Sequence, residues 1–237
     1  MKIIGHRGAV NLAPENSLSS CYALKYINKN WIEIDVLLSK DNVPVIFHDK
    51  KLDRCTDLKG DLRKYTLNEL KKTNNGLYFS KKFKNEKIPT LTEFILLCEK
   101  LSINIFLELK SYYSNNYEEK LVNEVVKRLK KYHLNKNEII LCSYSRNIIK
   151  LLKKKLPNYK RSLIVDYIPN DWIKFIFKYK CYSINIAYNK NINIINSFKN
   201  SVIKIPIYCY CINNIDDYKK LKKIKINGII TDNPEIF

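Results

Sequence analysis

The sequence predicts an α/β protein built on a parallel sheet, and three observations support this fold class. Short β-type runs alternate with helical patterns along most of the 237 residues, as in strands joined by crossover helices. Nine such runs occur, one more than an eight-stranded barrel uses, and one of them follows its predecessor after only a short turn. There is no internal repeat and no low-complexity tail. We therefore predict a single domain spanning residues 1–237, with one extra hairpin strand.

The elements follow one another in a regular order. Helices are predicted over Tyr117–Lys131 and Ile148–Leu156, where apolar residues recur at helical spacing. Thr90 and Glu93 form a capping box that begins a helix ending at about Leu101. The strands are expected at Lys2–Ile4, Trp31–Val36, Pro44–Phe47, Ile103–Leu109, Ile139–Cys142, Arg161–Val165, Tyr182–Ile186, Pro206–Tyr210 and Gly228–Thr231. Pro44–Phe47 is the expected hairpin strand.

Residues 50–87 interrupt this alternation. They are polar and rich in lysine, and they contain two of the five glycines, Gly60 and Gly76. A second capping box, Thr66 to Glu69, predicts a short helix there. We interpret the segment as an insertion on the edge or rim of the sheet.

Composition limits the partners and the location. A net charge of +20 could attract an anionic partner, but the lysines are dispersed along the chain, which favours a solvated surface. The start, MKIIGHRG, lacks the features of a signal peptide, so we expect a cytoplasmic protein. The seven cysteines contain no Cys-x-x-Cys pair and are expected to be reduced and mostly buried. Tyr208–Cys211, YCYC, is a poor zinc pattern because no second pair follows it.

Three carboxylates occupy strands where charge is expensive. Side chains alternate faces along a strand, so Glu33 and Asp35 share one face of WIEIDV, opposite Ile32, Ile34 and Val36. Glu108 is placed in the same way in INIFLELK. Each carboxylate alone could reach solvent or a salt bridge, but three together suit a hard divalent cation. We predict a Mg²⁺ or Ca²⁺ site, provided that the three converge at one end of adjacent strands.

Two histidines and two cations accompany this acidic group. His6 follows the first strand, and His48 ends another, at the strand ends where parallel α/β folds bind ligands. They suggest an acid–base pair, whereas His133, at the end of a predicted helix, is expected to be structural. Arg7 and Lys110 offer donors for phosphate. Together these groups fit cleavage of a phosphate ester.

At these residues the chain resembles the glycerophosphodiester phosphodiesterases over nearly its whole length. The matching stretches, in family order, are GHRGAVNLAPENS from Gly5, IEIDVLLSKDNVPVIFHD from Ile32, LDRCTD from Leu52, IPTLTE from Ile88, FLELK from Phe106, CSYS from Cys142, IYCYCIN from Ile207 and GIITDNPE from Gly228. The spacing of His-Arg-Gly, Pro-Glu-Asn, Glu-x-Asp and His-Asp makes the resemblance specific.

The resemblance implies a TIM-type (β/α)8 barrel with a small insertion after the His48 strand. It implies His6 and His48 as the catalytic pair and a metal site made of the carboxylates Glu33, Asp35 and Glu108. It also implies phosphate contacts by Arg7 and Lys110, and hydrolysis of a glycerophosphodiester to glycerol 3-phosphate and an alcohol. The chain departs from the family where relatives commonly have Trp-Thr-Val-Asn. Tyr210, Cys211, Ile212 and Asn213 stand there, and Tyr210 still offers an aromatic wall to the substrate.

Two other functions stay open at this stage. Related barrels cleave lysophospholipids or sphingolipids, and Asp171–Lys180 is aromatic and basic enough to rest on a membrane, although a barrel helix would use the same apolar residues for packing. A basic nucleic-acid-binding protein without catalysis would explain the charge, but no nucleic-acid motif is present. The expected partner is therefore a small phosphodiester. The alcohol, the metal and the oligomeric state are left undetermined.

Overall fold

The computed structural model of the chain describes residues 1–131, 139–197 and 205–237. His133 lies outside these ranges. The strands are β1 Lys2–His6, β2 Trp31–Leu38, β3 Pro44–Ile46, β4 Asn104–Leu109, β5 Ile139–Ser143, β6 Lys160–Val165, β7 Ser183–Ala187, β8 Ile207–Tyr210 and β9 Gly228–Thr231. The α-helices are α1 Leu18–Tyr26, α2 Leu67–Lys72, α3 Leu91–Leu101, α4 Asn115–Lys131, α5 Arg146–Lys155, α6 Trp172–Lys178, α7 Tyr188–Ser197 and α8 Ile215–Lys223. All nine predicted strands are present.

Eight of these strands form a closed parallel barrel. The order around the sheet is β1-β9-β8-β7-β6-β5-β4-β2, and β1 pairs with β2 through Gly5↔Ile32 and His6↔Glu33 to close it. Helices lie between successive strands, so the fold is a TIM (β/α)8 barrel, as the resemblance implied. The ninth strand, β3, pairs antiparallel with the end of β2, which confirms the predicted hairpin.

The alternation of side chains along the strands divides the apolar residues into two layers. Ile32, Ile34 and Val36 face the surrounding helices, within the large outer core. Trp31 faces the barrel interior, where its ring centroid lies 5.5 Å from that of Phe106. Phe106 in turn lies 4.8 Å from Tyr208. These aromatic rings fill the lower part of the barrel, so the polar residues farther along the same strands lie above an apolar floor.

The segment predicted as an insertion packs on the barrel through apolar side chains. Leu52, Leu62 and Leu70 are fully buried and belong to the same hydrophobic cluster as the outer faces of the strands. The capping box at Thr66 begins helix α2, as predicted. The organisation of the chain as one domain stays a prediction, and this shared core supports it.

Helix α6 contains the stretch that suggested membrane contact. Trp172 is 7% exposed and lies in the core, so its main use is packing. Ile173 and Phe177 are the exposed apolar residues of this helix, and Phe177 is 65% exposed. In the part of the chain that the structure describes, no helix combines the length and hydrophobicity needed to cross a bilayer.

Candidate active site

Three carboxylates meet at the carboxyl-terminal mouth of the barrel. Glu33 and Asp35 point inward from β2, and Asp35 lies beside Glu108 of β4 in the strand register. One oxygen from each of the three lies within 4.8 Å of the others, and all three side chains are buried. The structure therefore brings together the acidic group that was predicted from the sequence.

The electrostatics of this group show the cost of keeping three charges together. Burial and the neighbouring charge of Asp35 raise the pKa of Glu33 to about 8. Burial also raises the pKa of Glu108, with a further contribution from Asp35. Burial opposes ionisation of Asp35 as well, but the charges of Lys110 and His48 outweigh it and hold its pKa well below the usual value. The donors are hard oxygens that repel one another, which fits a divalent cation such as Mg²⁺ or Ca²⁺.

Two cationic side chains border the carboxylates. The Lys110 Nζ lies 2.7 Å from Glu108 Oε1 and 3.3 Å from Asp35 Oδ1. The Arg7 Nε lies 3.5 Å from Asp35 Oδ2. Among the buried side-chain nitrogens of the described residues, this Nε is one of the few that make no hydrogen bond. Lys110 and Arg7 thus place donors next to the acidic group, as expected for residues that contact phosphate.

A tight loop after β1 positions Arg7. Arg7 has a φ of 55° and Gly8 a φ of 105°, in the left-handed region that glycine adopts most easily. A Cβ at Gly8 would lie 2.3 Å from the Oγ of Ser20, a residue of helix α1. The loop can therefore pack against α1 only with glycine at this position. In this conformation the backbone N–H of Arg7 donates to Glu33 Oε2 over 3.1 Å.

His6 is the last residue of β1 and turns one ring edge toward the carboxylates. Its Nε2 lies 4.0 Å from Glu33 Oε2, and its Nδ1 lies 2.6 Å from Asp232 Oδ1. Asn213 Nδ2 donates to Asp232 Oδ2 over 2.7 Å, and its Oδ1 accepts from the backbone N–H of Asp232. These bonds hold Asp232, and Asp232 in turn orients the imidazole of His6.

His48 has a similar partner on the other side of the mouth. Its Nδ1 lies 2.5 Å from Asp49 Oδ1. Arg54, from the insertion, donates from Nε to Asp49 Oδ2 over 2.7 Å and from two nitrogens to Glu15. Glu15 also accepts from Arg7 over 2.9 Å. A single chain of ionic hydrogen bonds therefore connects His48 with Arg7.

The two histidines occupy different electrostatic environments. Burial disfavours the charged form of His6, but the hydrogen bond to Asp232 and the charge of Glu33 outweigh it and raise its pKa well above the usual value. Burial lowers the pKa of His48, and the nearby charges of Lys110 and Arg7 lower it further. One imidazole thus favours its protonated form and the other its neutral form, which suits an acid–base pair.

These groups surround one cavity of about 210 Å³. Its wall includes Tyr210, whose hydroxyl donates to the Val165 carbonyl and accepts from Tyr144 over 2.9 Å. The cavity is lined by the eight residues predicted for the site, His6, Arg7, Glu33, Asp35, His48, Glu108, Lys110 and Tyr210, together with Tyr144, Ile164, Asn185, Cys211 and Ile230.

Sequence reasoning missed the residues that orient this site. Asp232, Asp49, Arg54 and Glu15 all lie in quoted motifs, TDNPE, FHD, LDRCTD and PENS, but none was assigned a role. Asn16, also in PENS, donates to Asp35 Oδ2 over 2.8 Å and accepts from the Asp35 backbone N–H. The sequence signal was their place in these motifs, and Asp49 also directly follows His48. The partner of each was not visible, because the contacts are made between distant segments.

Comparisons with known proteins show which family and fold this chain resembles. The model of the glycerophosphoryl diester phosphodiesterase family matches residues 6–236. A glycerophosphodiester phosphodiesterase of Caldanaerobacter subterraneus is 30% identical over 98% of this chain and 94% of its own length. An Oleispira antarctica phosphodiesterase, solved with its product sn-glycerol-3-phosphate, is 29% identical with a TM-score of 0.92, covering 100% of this chain and 94% of that one. A Thermotoga maritima glycerophosphodiester phosphodiesterase is 25% identical with a TM-score of 0.77, covering 99% and 96%.

Proposed function

Because the chain belongs to the glycerophosphoryl diester phosphodiesterase family, and is thus a phosphoric diester hydrolase, we propose that it hydrolyses glycerophosphodiesters to glycerol 3-phosphate and an alcohol. The observation that carries the proposal is the convergence of two histidines, two cations and three carboxylates on one cavity. The relative solved with sn-glycerol-3-phosphate supports the choice of product.

His6 and His48 carry the proton transfers in this proposal. Each ring bonds a carboxylate through Nδ1, so Nε2 is the nitrogen that exchanges a proton with water or the leaving alcohol. One histidine removes a proton as the P–O bond forms, and the other donates a proton to the departing alkoxide. The opposite shifts of their pKa values are consistent with such a division of roles.

Arg7 and Lys110 bind the phosphoryl group. Their nitrogens lie beside Asp35 and line the cavity, so they can contact the non-bridging oxygens as negative charge develops there. The buried Arg7 Nε would gain an acceptor on binding the anion. Tyr210 forms part of the wall that receives the substrate, where its hydroxyl is held by the Val165 carbonyl.

The carboxylates Glu33, Asp35 and Glu108 would hold a divalent cation, Mg²⁺ or Ca²⁺. When bound, such a cation supplies a Lewis acid that polarises a phosphoryl oxygen. The chain itself contributes the hard oxygen donors and the floor of aromatic rings below them. It also contributes Lys110, which neutralises part of the acidic charge before a cation arrives.

Phosphorus NMR of the purified protein tests the proposal directly. The substrates are glycerophosphocholine, glycerophosphoethanolamine and lysophosphatidylcholine, each with Mg²⁺, with Ca²⁺ and with a chelator. We expect metal-dependent formation of glycerol 3-phosphate, with no turnover in the chelator. A cyclic phosphate or a lysophosphatidic acid signal would assign the protein to the lipid-cleaving alternative. Absence of turnover under every condition, with salt-sensitive retention of DNA, would support the binding-protein alternative instead.

A further inference from the structure

We propose that His6, Cys211 and Asp232 form a second metal site, selective for zinc-like ions, whose occupation inhibits the enzyme. The three residues offer a ring nitrogen, a thiol sulfur and a carboxylate oxygen within 4.8 Å of one another. This group lies on the Nδ1 edge of the His6 ring, whereas the predicted Mg²⁺ or Ca²⁺ ligand Glu33 faces Nε2. The two sites are therefore separate and lie next to different nitrogens of the His6 ring.

The distances suit a small tetrahedral ion. Zinc binds nitrogen and oxygen at about 2.0 Å and sulfur at about 2.3 Å, so in a tetrahedral site the ligand atoms lie about 3.3–3.5 Å apart. The Cys211 Sγ lies 3.7 Å from His6 Nδ1, about 0.2 Å beyond the nitrogen–sulfur separation that zinc requires. His6 Nδ1 and Asp232 Oδ1 are 2.6 Å apart and would separate by about 0.8 Å as the ion replaces their shared proton.

The donor set and its surroundings distinguish this site from the carboxylate site. A mixed nitrogen, sulfur and oxygen set favours zinc over Mg²⁺ or Ca²⁺, which prefer oxygen alone. Cys211 is exposed, and the Asp232 side chain is 33% exposed, so an ion can enter and water can complete its coordination. Asn213 bonds the second carboxylate oxygen of Asp232 and fixes its orientation, as outer-shell partners of metal ligands do.

Occupation of this site would stop the proton transfers. An ion on Nδ1 of His6 leaves the one ring proton on Nε2, so the ring cannot accept another proton while the ion is bound. Donation of that proton would leave an imidazolate, which is unfavourable. The inhibitory part of this inference rests on the proposed role of His6, but the metal site itself does not.

Cobalt absorption and zinc inhibition test the two parts separately. The full chain, stripped with chelator and then saturated with Mg²⁺, is titrated with Co²⁺ and in parallel with Zn²⁺. The variants are Cys211→Ser and, as the matched control, Cys181→Ser, which removes a half-buried thiol elsewhere in the fold. We expect a near-ultraviolet thiolate-to-cobalt band in the wild type and in Cys181→Ser but not in Cys211→Ser. We expect the zinc concentration for half inhibition to rise at least about tenfold in Cys211→Ser alone.

Three results would overturn the inference. A cobalt band that persists in Cys211→Ser, or that never forms in the wild type, would show that Cys211 is not a metal ligand and that the proposed site does not exist. Equal zinc inhibition of wild type and Cys211→Ser would place the inhibitory ion elsewhere. If no substrate is turned over, the proposed function fails, yet the cobalt band still reports on the site. Asp232→Asn serves as a second variant should Cys211→Ser lose its circular dichroism spectrum.

Discussion

Replacing Lys110 with methionine should lower the stability of the folded protein, because the buried carboxylates at the barrel mouth then repel one another unless a metal ion is bound. The Lys110 Nζ contacts Glu108 Oε1 and Asp35 Oδ1, and all three side chains are at most 10% exposed. Methionine has nearly the same length and removes the charge. In the variant without metal, the two carboxylates lose the cation that lies between them.

The magnitude follows from burial. Removing one partner of a buried ion pair costs about 3–5 kcal/mol because the remaining charge has no compensation. Asp35 keeps its hydrogen bonds with Asn16 and the charge of Arg7, whose Nε lies 3.5 Å away, so we expect the lower end, about 3 kcal/mol in the free energy of unfolding. Bound Mg²⁺ or Ca²⁺ should recover much of this loss. The stabilisation by metal should exceed that of the wild type, since the Lys110 charge no longer opposes the cation.

Urea unfolding with chelator and with saturating metal measures both quantities. The matched control is Lys190→Met, which breaks the 3.0 Å ion pair with Asp166 where both side chains are at least 36% exposed. An exposed pair of this kind is worth less than about 1 kcal/mol. Because the carboxylates are unchanged in this control, metal should stabilise it only as much as the wild type. If Lys110→Met without metal is as stable as Lys190→Met, the carboxylates do not hold unbalanced charge. If metal stabilises both variants equally, the charge of Lys110 does not oppose the bound cation.

The remaining predictions concern turnover. His6→Ala and His48→Ala should each lower kcat by about 10²–10⁴-fold with an unchanged circular dichroism spectrum. A substrate with an activated leaving group such as p-nitrophenol needs no general acid, so it should restore turnover only in the variant that lacks the acid. Wild-type turnover in either variant would contradict the acid–base pair. Glu33→Gln should raise the metal concentration needed for half-maximal activity and should also lower the maximal activity, both measured by titrating the enzyme with metal. An unchanged titration would exclude Glu33 as a ligand. Arg54→Met should lower kcat/KM at least about tenfold, because it frees Asp49 and Glu15, the partners of His48 and Arg7. The control Arg146→Met, which breaks an exposed ion pair of α5, should leave kcat/KM unchanged. Equal kinetics in the two variants would contradict the role of Arg54.

The parallel sheet and its acidic group could be predicted from local patterns, whereas closure into a barrel was implied only by the family resemblance. Alternation along WIEIDV put Glu33 and Asp35 on one face, and the same rule placed Glu108 on an inward face. The carboxyl ends of parallel strands lie at the same edge of a sheet. The three carboxylates could therefore converge as soon as β2 and β4 were neighbours, and the two strands are paired. The period of two in a strand therefore carries most of the information about where these carboxylates lie.

His48 reaches the barrel mouth by a different route from His6. The sequence placed it at the end of Pro44–Phe47, the expected hairpin strand, and at the edge where parallel α/β folds bind ligands. The strand before it, β3, is antiparallel to β2. The chain rises past the barrel mouth with β2, turns, and returns along β3, where the Phe47 N–H donates to the Asp35 carbonyl. His48 thus arrives at the mouth from above, and the hairpin, which the sequence did predict, is what brings it there.

The orienting residues were beyond prediction because their partners are far apart in the chain. His6 and Asp232 are separated by 226 positions, and Arg54 and Glu15 by 39. Only closure of the barrel between β1 and β9 brings the first pair together, and only packing of the insertion on the rim brings the second. The orientation of His6 and of His48 consequently depends on a segment outside the strand that precedes each of them. The imidazoles are therefore aligned only when the barrel is closed and the rim is packed. Substitutions that weaken packing at the rim should lower turnover more than they lower the stability of the barrel core.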